Sequence, residues 1–89
     1  MNLDEDWLVS LSVAESDGQT RAEARLAMPG GAALAGYGQA RRNPADREVA
    51  RIGAQLAAAR ALTDLAGQLL HAAAGGIEDS THQRARLYL

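Results

Sequence analysis

The chain has 89 residues, no cysteine and a formal net charge of −2. The lack of cysteine excludes disulfides, thiolate metal ligands and a cysteine nucleophile. A domain this small buries only part of its apolar surface, so association with a second copy is the remaining common source of stability. We therefore expect a single domain that forms a homodimer.

The N-terminal segment bears on localisation. Residues 1–10, MNLDEDWLVS, are acidic and contain neither a basic leader region nor a long apolar run. They predict neither a signal peptide nor a membrane span. We expect a cytoplasmic protein with no membrane partner.

Three segments alternate between apolar and polar residues with period two, which is typical of strands. We predict strands at about residues 6–15, 20–28 and 32–42. One side of the first strand carries large apolar residues, namely Trp7, Val9, Leu11 and Val13. One side of the second carries Ala22, Ala24, Leu26 and Met28, and its other side carries Arg21, Glu23 and Arg25. These segments predict a three-stranded antiparallel meander.

Glycines mark the turns and one close approach. Asp17-Gly18 suits the positive φ angles of a tight hairpin, and residues 29–31, PGG, form a second turn. Gly36 and Gly38 share one face of the third strand, where the missing side chains let another element approach.

A long helix is predicted at about residues 44–74. Asn43 suits the N-cap, Pro44 the first helical position and Asp46 the positive end of the helix dipole. Apolar residues then recur at helical spacing at Val49, Ile52, Leu56, Ala59, Leu62, Leu65, Ala66, Leu69 and Leu70. We expect Gly75-Gly76 to end the helix.

The helix is expected to be longer than the sheet. Thirty residues span about 45 Å in a helix, whereas the strands are about 30 Å long. We expect a second subunit to cover the overhang, and a close contact at Gly53 or Gly67. The C-terminal tail, residues 77–89, ends in LYL and is expected to dock on a sheet edge or to exchange between subunits. The fold class is therefore α+β.

Enzyme chemistry has little support in the sequence. Residues 79–82, DSTH, place a hydroxyl beside a carboxylate and an imidazole, but catalytic groups are arranged by geometry and not by adjacency. We expect a capped turn there, and we expect His71 near the helix end to interact with the dipole or with solvent. We predict a protein that is not an enzyme, with no catalytic residue, metal or cofactor.

Arginine provides the strongest functional signal. Residues 21–60 contain seven arginines and three carboxylates, whereas residues 1–20 contain five carboxylates and no base. Together with a helix N-terminus, this basic segment predicts a phosphate-binding patch. The predicted RNA contacts are Arg41, Arg42, Arg47 and Arg51, with Arg21 and Arg25 as supporting contacts.

One alternative to phosphate binding remains open. The arginines balance carboxylates as a solvated surface network, with Arg60 and Asp64 forming a helix-surface pair. In that case the protein is a dimeric or protein-binding module without RNA. Because phenylalanine is absent and only Tyr37 lies mid-strand, the composition favours recognition of phosphates and shape over a base-stacking platform.

Several segments resemble a family of small actinobacterial proteins of unknown function, some of them linked to hypoxia or dormancy. The resemblance runs from about Trp7 to Leu87 and is most specific in the arrangement NPAD…IG..LA.ARAL.DL between Asn43 and Leu65. Arg84 stands where proline is expected in relatives.

The resemblance implies a β-β-β-α core that is similar to double-stranded-RNA-binding domains and to ribosome hibernation-promoting factors. It also implies an intertwined dimer and a role in stabilising idle ribosomes under stress. The leading hypothesis is therefore a non-enzymatic stress protein that binds the ribosome or structured RNA.

Overall fold

The computed structural model describes residues 2–41 and 50–81. It contains three strands and one helix, and their order confirms the predicted α+β class. The elements are β1 at Leu8–Ser16, β2 at Gln19–Ala27, β3 at Ala33–Arg41 and α1 at Ala50–Thr81. The strands form an antiparallel sheet in the order β1-β2-β3, so β1 and β3 are the edges.

Both predicted turns are present. Asp17 and Gly18 adopt φ angles of 52° and 74°, the left-handed pair that suits a two-residue hairpin. In the second turn the backbone N–H of Met28 donates to the carbonyl of Ala32 at 2.9 Å, and Gly30 and Gly31 have φ angles near 90°. The predicted meander is therefore confirmed at its connections.

Helix α1 lies across one face of β3 and β2. Gly36 and Gly38 allow this packing, because a Cβ at Gly36 would lie 2.5 Å from the Ala61 carbonyl oxygen and one at Gly38 would collide with the Ala57 carbonyl. Glycine is required at both positions for the helix backbone to approach. The predicted close contact at Gly53 is also present, where a Cβ would lie 3.1 Å from Thr20 Oγ1. At Gly67 a Cβ would meet no atom within 4 Å.

The face of α1 that packs on the sheet is formed mainly by small residues. The buried core consists of Ala22, Ala24, Leu26, Ala40, Ala57, Ala61 and Leu65. The predicted apolar stripe is therefore only partly buried: Leu65 belongs to the core and Leu69 packs against it, whereas Ile52, Leu56 and Leu62 are 61%, 43% and 42% exposed. The close approach at the two β3 glycines places Ala57 and Ala61 against the strand, where the small side chain of alanine fits.

The helix end also differs from the prediction. Gly75 and Gly76 lie inside α1, which continues to Thr81. Neither glycine has the positive φ angle that ends a helix in a left-handed cap. His71 is consequently well inside the helix, and Asp79 belongs to it as well, so the turn predicted at residues 79–82 is wrong for 79–81. No part of the described helix is long and apolar enough to cross a membrane.

Several predicted features lie outside the described residues. They are the helix start with Asn43, Pro44 and Asp46, the site residues Arg42 and Arg47, Val49, and the tail from His82 to Leu89.

The predicted overhang of the helix beyond the sheet, in contrast, falls within the described residues. A helix of 32 residues is about 48 Å long, and a strand of nine residues is about 30 Å long.

Candidate functional site: two faces and two edges of one sheet

The two halves of the sheet differ on the side that faces α1. On β2, Ala24 and Leu26 are 0% and 3% exposed, whereas their partners on β1, Leu11 and Val9, are 42% and 53% exposed. We call the apolar surface formed by Trp7, which immediately precedes β1, and by Val9, Leu11 and Val13 of β1 the uncovered half. Each of these four side chains is more than two-fifths exposed. Such a contiguous apolar patch typically marks an association surface.

The helix has an apolar back in addition to its packed face. Ile52, Leu56 and Ile77 are exposed by 61%, 43% and 43% although they are large and aliphatic. A helix that is apolar on more than one face is normally covered on more than one face. One chain therefore presents both a half-sheet without a helix and a helix with an apolar outer surface.

The two edges of the sheet differ as sharply as its two halves. Along β3, three side chains of α1 bind the backbone groups that point away from β2. Arg60 Nη1 donates to the Gln39 carbonyl at 2.7 Å, the Tyr37 N–H donates to Asp64 Oδ2 at 2.8 Å, and Gln68 Nε2 donates to the Ala35 carbonyl at 2.7 Å.

This row of helix side chains blocks the β3 edge. The three residues are four apart, so they lie along one flank of α1. Sequence reasoning predicted a surface pair between Arg60 and Asp64, but in the structure both bind strand backbone instead of each other. Exposed strand edges pair readily with other strands, and covering them prevents this. Along β1 the described residues provide no comparable row.

The opposite side of the sheet, which faces away from α1, is polar. We call it the outer face. Its members alternate with the buried ones along β2 and β3 and include Gln19, Arg21, Glu23, Arg25, Tyr37, Gln39 and Arg41. Of the predicted RNA contacts, the structure brings Arg21, Arg25 and Arg41 together on this face.

The charges on the outer face are unequally neutralised. Arg25 Nε lies 3.0 Å from Glu23 Oε2, and this hydrogen bond, with the attraction of the carboxylate, raises the pKa of Arg25 above its ordinary value. Arg21 has an amide as its partner, donating to Gln19 Oε1 at 3.3 Å. No other salt bridge forms among the described residues. Arg21 and Arg41 therefore keep charges that no described carboxylate neutralises.

Arg51 is separated from the outer face. It is exposed near the start of α1, in the helix layer and at the end of the sheet where β3 finishes. The predicted six-arginine patch is thus divided between two layers in the part of the chain that the structure describes. Sequence reasoning could group Arg21 with Arg25 by period two, but it could not tell whether the arginines of the helix start lie beside those of the strands, because that depends on tertiary packing.

No cluster of three or more metal-ligating side chains occurs in residues 2–41 and 50–81. His71 is exposed and lines a groove of about 640 Å³ between α1 and the β3 edge, together with Asp64 and Gln68. Both of those neighbours are already engaged in binding the strand edge.

The comparisons with known proteins agree on one family. The model of the Rv2632c-like family matches residues 5–86. The chain is 49% identical over 81 residues to the uncharacterized protein Mb1767 of Mycobacterium bovis, covering 91% of this chain and 85% of that protein. It is also 49% identical over 75 residues to the uncharacterized protein Rv2632c of Mycobacterium tuberculosis, covering 84% and 80% of the two chains.

A solved structure has the same fold. The crystal structure of Rv2632c superposes with a TM-score of 0.82 at 45% sequence identity, covering 92% of this chain and 96% of that one. The predicted membership of a small actinobacterial family is therefore confirmed.

Proposed function

The chain belongs to the Rv2632c-like family, and we propose that it is a non-enzymatic homodimeric module that binds structured RNA, foremost that of the ribosome, through the outer face of its sheet. The observation that carries this proposal is the separation of one sheet into an apolar side and a polar side with three arginines. The proposed role in stress or dormancy rests on the resemblance described above, and the proposed cytoplasmic location rests on the acidic N-terminal segment, which predicts no signal peptide.

Phosphate contact is the chemistry that the outer face supports. Arginine binds phosphate oxygens through several N–H donors, and such contacts position RNA without reading its sequence. Arg21 and Arg41 are diagonal neighbours on the outer face, since Gln39 is opposite Arg21, Gln19 is opposite Arg41, and a single pair that faces the helix lies between them. Their charges are therefore close enough to act on neighbouring phosphates. Arg42, Arg47 and Arg51 remain predicted contacts.

In the proposed dimer, each copy covers apolar surface that the other copy leaves exposed. Each copy has two apolar contact surfaces, the uncovered half of its sheet and the back of α1 with Ile52 and Leu56. In a two-fold arrangement the helix of each copy lies on the uncovered half of the other, so the same contact forms twice.

The second candidate function is a dimeric or protein-binding module that does not bind nucleic acid. The observation that favours it is the Arg25–Glu23 pair, which shows one arginine of the outer face already neutralised. The net charge of −2 also disfavours indiscriminate binding to RNA. Both candidates share the dimer and differ in the role of the outer face.

Binding to purified ribosomes and to a blunt RNA duplex tests the proposal. Affinity is measured at low and at near-physiological salt, because phosphate contacts weaken steeply as salt rises. The Arg21→Gln/Arg41→Gln variant should bind more weakly than the wild type. In a plot of the logarithm of its association constant against the logarithm of salt concentration, the slope should be smaller in magnitude by about two. Wild-type protein that binds neither probe at low salt would leave only the second candidate.

A charge-matched variant controls for net charge. Arg84→Gln/Arg86→Gln removes the same two charges from the tail, outside the predicted contacts. It should retain near wild-type affinity if the outer face is the site. Equal losses in both double variants would mean that affinity follows total charge, and the assignment to the outer face would be wrong.

A further inference from the structure

Tyr37 is an unusual residue on the outer face. It lies in the middle of β3 and its side chain is 62% exposed, whereas Gly36 and Ala40 on the opposite side of the same strand are buried. Its cross-strand partner is Glu23, a flexible side chain that pairs with Arg25. An exposed aromatic ring on a polar sheet surface offers a π-face for stacking.

A shallow depression of about 240 Å³ adjoins the ring. It is lined by Arg21, Ala22, Tyr37, Gly38 and Gln39. Gly38 contributes no side chain, which leaves the space beside Tyr37 open. The depression is therefore bounded by one aromatic ring, one guanidinium group and one side-chain amide.

Hydrogen bonds orient the polar groups of this depression. Gln19 Nε2 donates to Gln39 Oε1 at 2.7 Å, and Gln19 Oε1 accepts from Arg21 at 3.3 Å. These hydrogen bonds, which run from Arg21 through Gln19 to Gln39, orient the side-chain oxygen of Gln39 toward β2. The side-chain N–H groups of Gln39 therefore point away from Gln19. None of the described hydrogen bonds uses the Gln39 amide N–H donors or the remaining N–H groups of Arg21.

We propose that this depression is a site for one unpaired nucleobase of RNA, with the base stacked on Tyr37, Gln39 donating to the base edge and Arg21 contacting the adjacent phosphate. This inference rests on the proposed RNA-binding function and narrows the ligand to RNA that has an unpaired nucleotide. Unstacked bases in loops and bulges are the usual targets of aromatic side chains in RNA-binding proteins.

The proposal is compatible with the low aromatic content of the chain. A platform for several bases needs several rings, and the sequence provides none besides Tyr37 in the middle of a strand. One ring accommodates one base. The other polar groups of the outer face would then hold the backbone on either side of it.

The test measures how tightly the full chain binds a single-stranded RNA of six adenine nucleotides. Binding of the blunt RNA duplex is measured for comparison. Tyr37→Ala should weaken binding of the single strand by about fivefold to about one hundredfold, since a stacked base contributes that much. Tyr37→Phe keeps the ring and should stay within about twofold of wild type. Neither variant should alter duplex binding by more than about twofold. Both should unfold cooperatively in urea, with Tyr37→Ala unfolding at a somewhat lower urea concentration than the wild type because alanine is a weaker strand former.

A spectroscopic readout separates stacking from mere proximity. In a Trp7→Phe background, the Tyr37→Trp variant carries its single indole at the site, because the chain has one tryptophan. Saturating single-stranded RNA should quench its fluorescence, and duplex RNA should not. Unchanged fluorescence at saturation would overturn the proposal even if the RNA were bound.

The outcomes distinguish this inference from the broader function. Wild-type binding of the single strand by the Tyr37→Ala variant, with duplex binding lost in Arg21→Gln/Arg41→Gln, would reject the base site alone. Failure of the wild-type chain to bind the single strand would also reject the base site. Failure to bind any RNA, ribosomes included, would reject both.

Discussion

The half of the sheet that α1 covers and the uncovered half are built from different residues, because each half carries side chains that suit the layer expected to pack on it. Where α1 packs, glycine and alanine allow the helix backbone to approach β3, and the core that results is thin. Where α1 leaves the sheet exposed, β1 carries valine and leucine and is preceded by Trp7, and these are the residues expected beneath a second packing layer. The chain therefore encodes more apolar surface than one copy can bury.

The largest expected effect is at the covered half. Gly38→Val places a branched side chain against the backbone of Ala57 and Ala61. Because helix backbone cannot yield as a flexible side chain does, we expect the free energy of unfolding to fall by about 3 kcal/mol or more. Urea denaturation measures it. The control is Ala33→Val, on the exposed end of the same strand, which should change stability by less than about 0.5 kcal/mol. Equal stability of both variants would contradict the close helix–strand packing.

The next effect concerns the uncovered half. Leu11→Asp introduces a carboxylate where we propose that a second copy packs, and burying an unpaired charge costs several kcal/mol. The dimer dissociation constant should rise by at least about a hundredfold, as measured by sedimentation equilibrium. Ser12→Asp is the matched control, since residue 12 lies on the opposite side of the same strand. Equal dissociation constants for the two variants would remove the uncovered half from the interface.

A smaller effect is expected at the β3 edge. Asp64→Ala removes the acceptor of the Tyr37 N–H. A hydrogen bond to a charged group at an exposed position contributes about 1 kcal/mol, and unfolding should become easier by that amount. Asp79→Ala, an exposed carboxylate in the same helix, should have little effect. No loss of stability in Asp64→Ala would mean that solvent replaces the carboxylate without cost.

The smallest effect is a stabilisation. Gly67 lies in the helix interior, and a methyl group added to its Cα would meet no atom within 4 Å. Gly67→Ala should therefore raise the free energy of unfolding by about 0.5–1 kcal/mol, because alanine loses less backbone entropy in a helix. A decrease measured by the same urea titration would indicate an unrecognised close contact at this turn.

Period two and the turn residues were sufficient to predict the strands and their faces. Asp17-Gly18 specified one hairpin, and the two β3 glycines indicated where the helix would approach. These are local signals, so the sequence displays them directly. The strand bounds agree with the structure within about two residues.

The buried face and the end of α1 could not be predicted in the same way. Ile52 and Leu56 form the more conspicuous apolar stripe, yet Ala57 and Ala61 are the ones that the sheet buries. Which stripe packs inward depends on the space left by glycines in another element. The row on the β3 edge likewise depends on how far α1 is shifted along the sheet, a tertiary quantity that helical spacing alone does not specify.

In the proposed dimer, the helix of one copy covers the uncovered half of the other. Sedimentation velocity of the full chain at micromolar concentration is the decisive measurement, with Leu11→Asp and Ser12→Asp run beside it. We expect a particle of twice the chain mass for the wild type and Ser12→Asp, and of single mass for Leu11→Asp. A wild-type monomer at tens of micromolar would show that the apolar surfaces of the chain are not covered by a second copy.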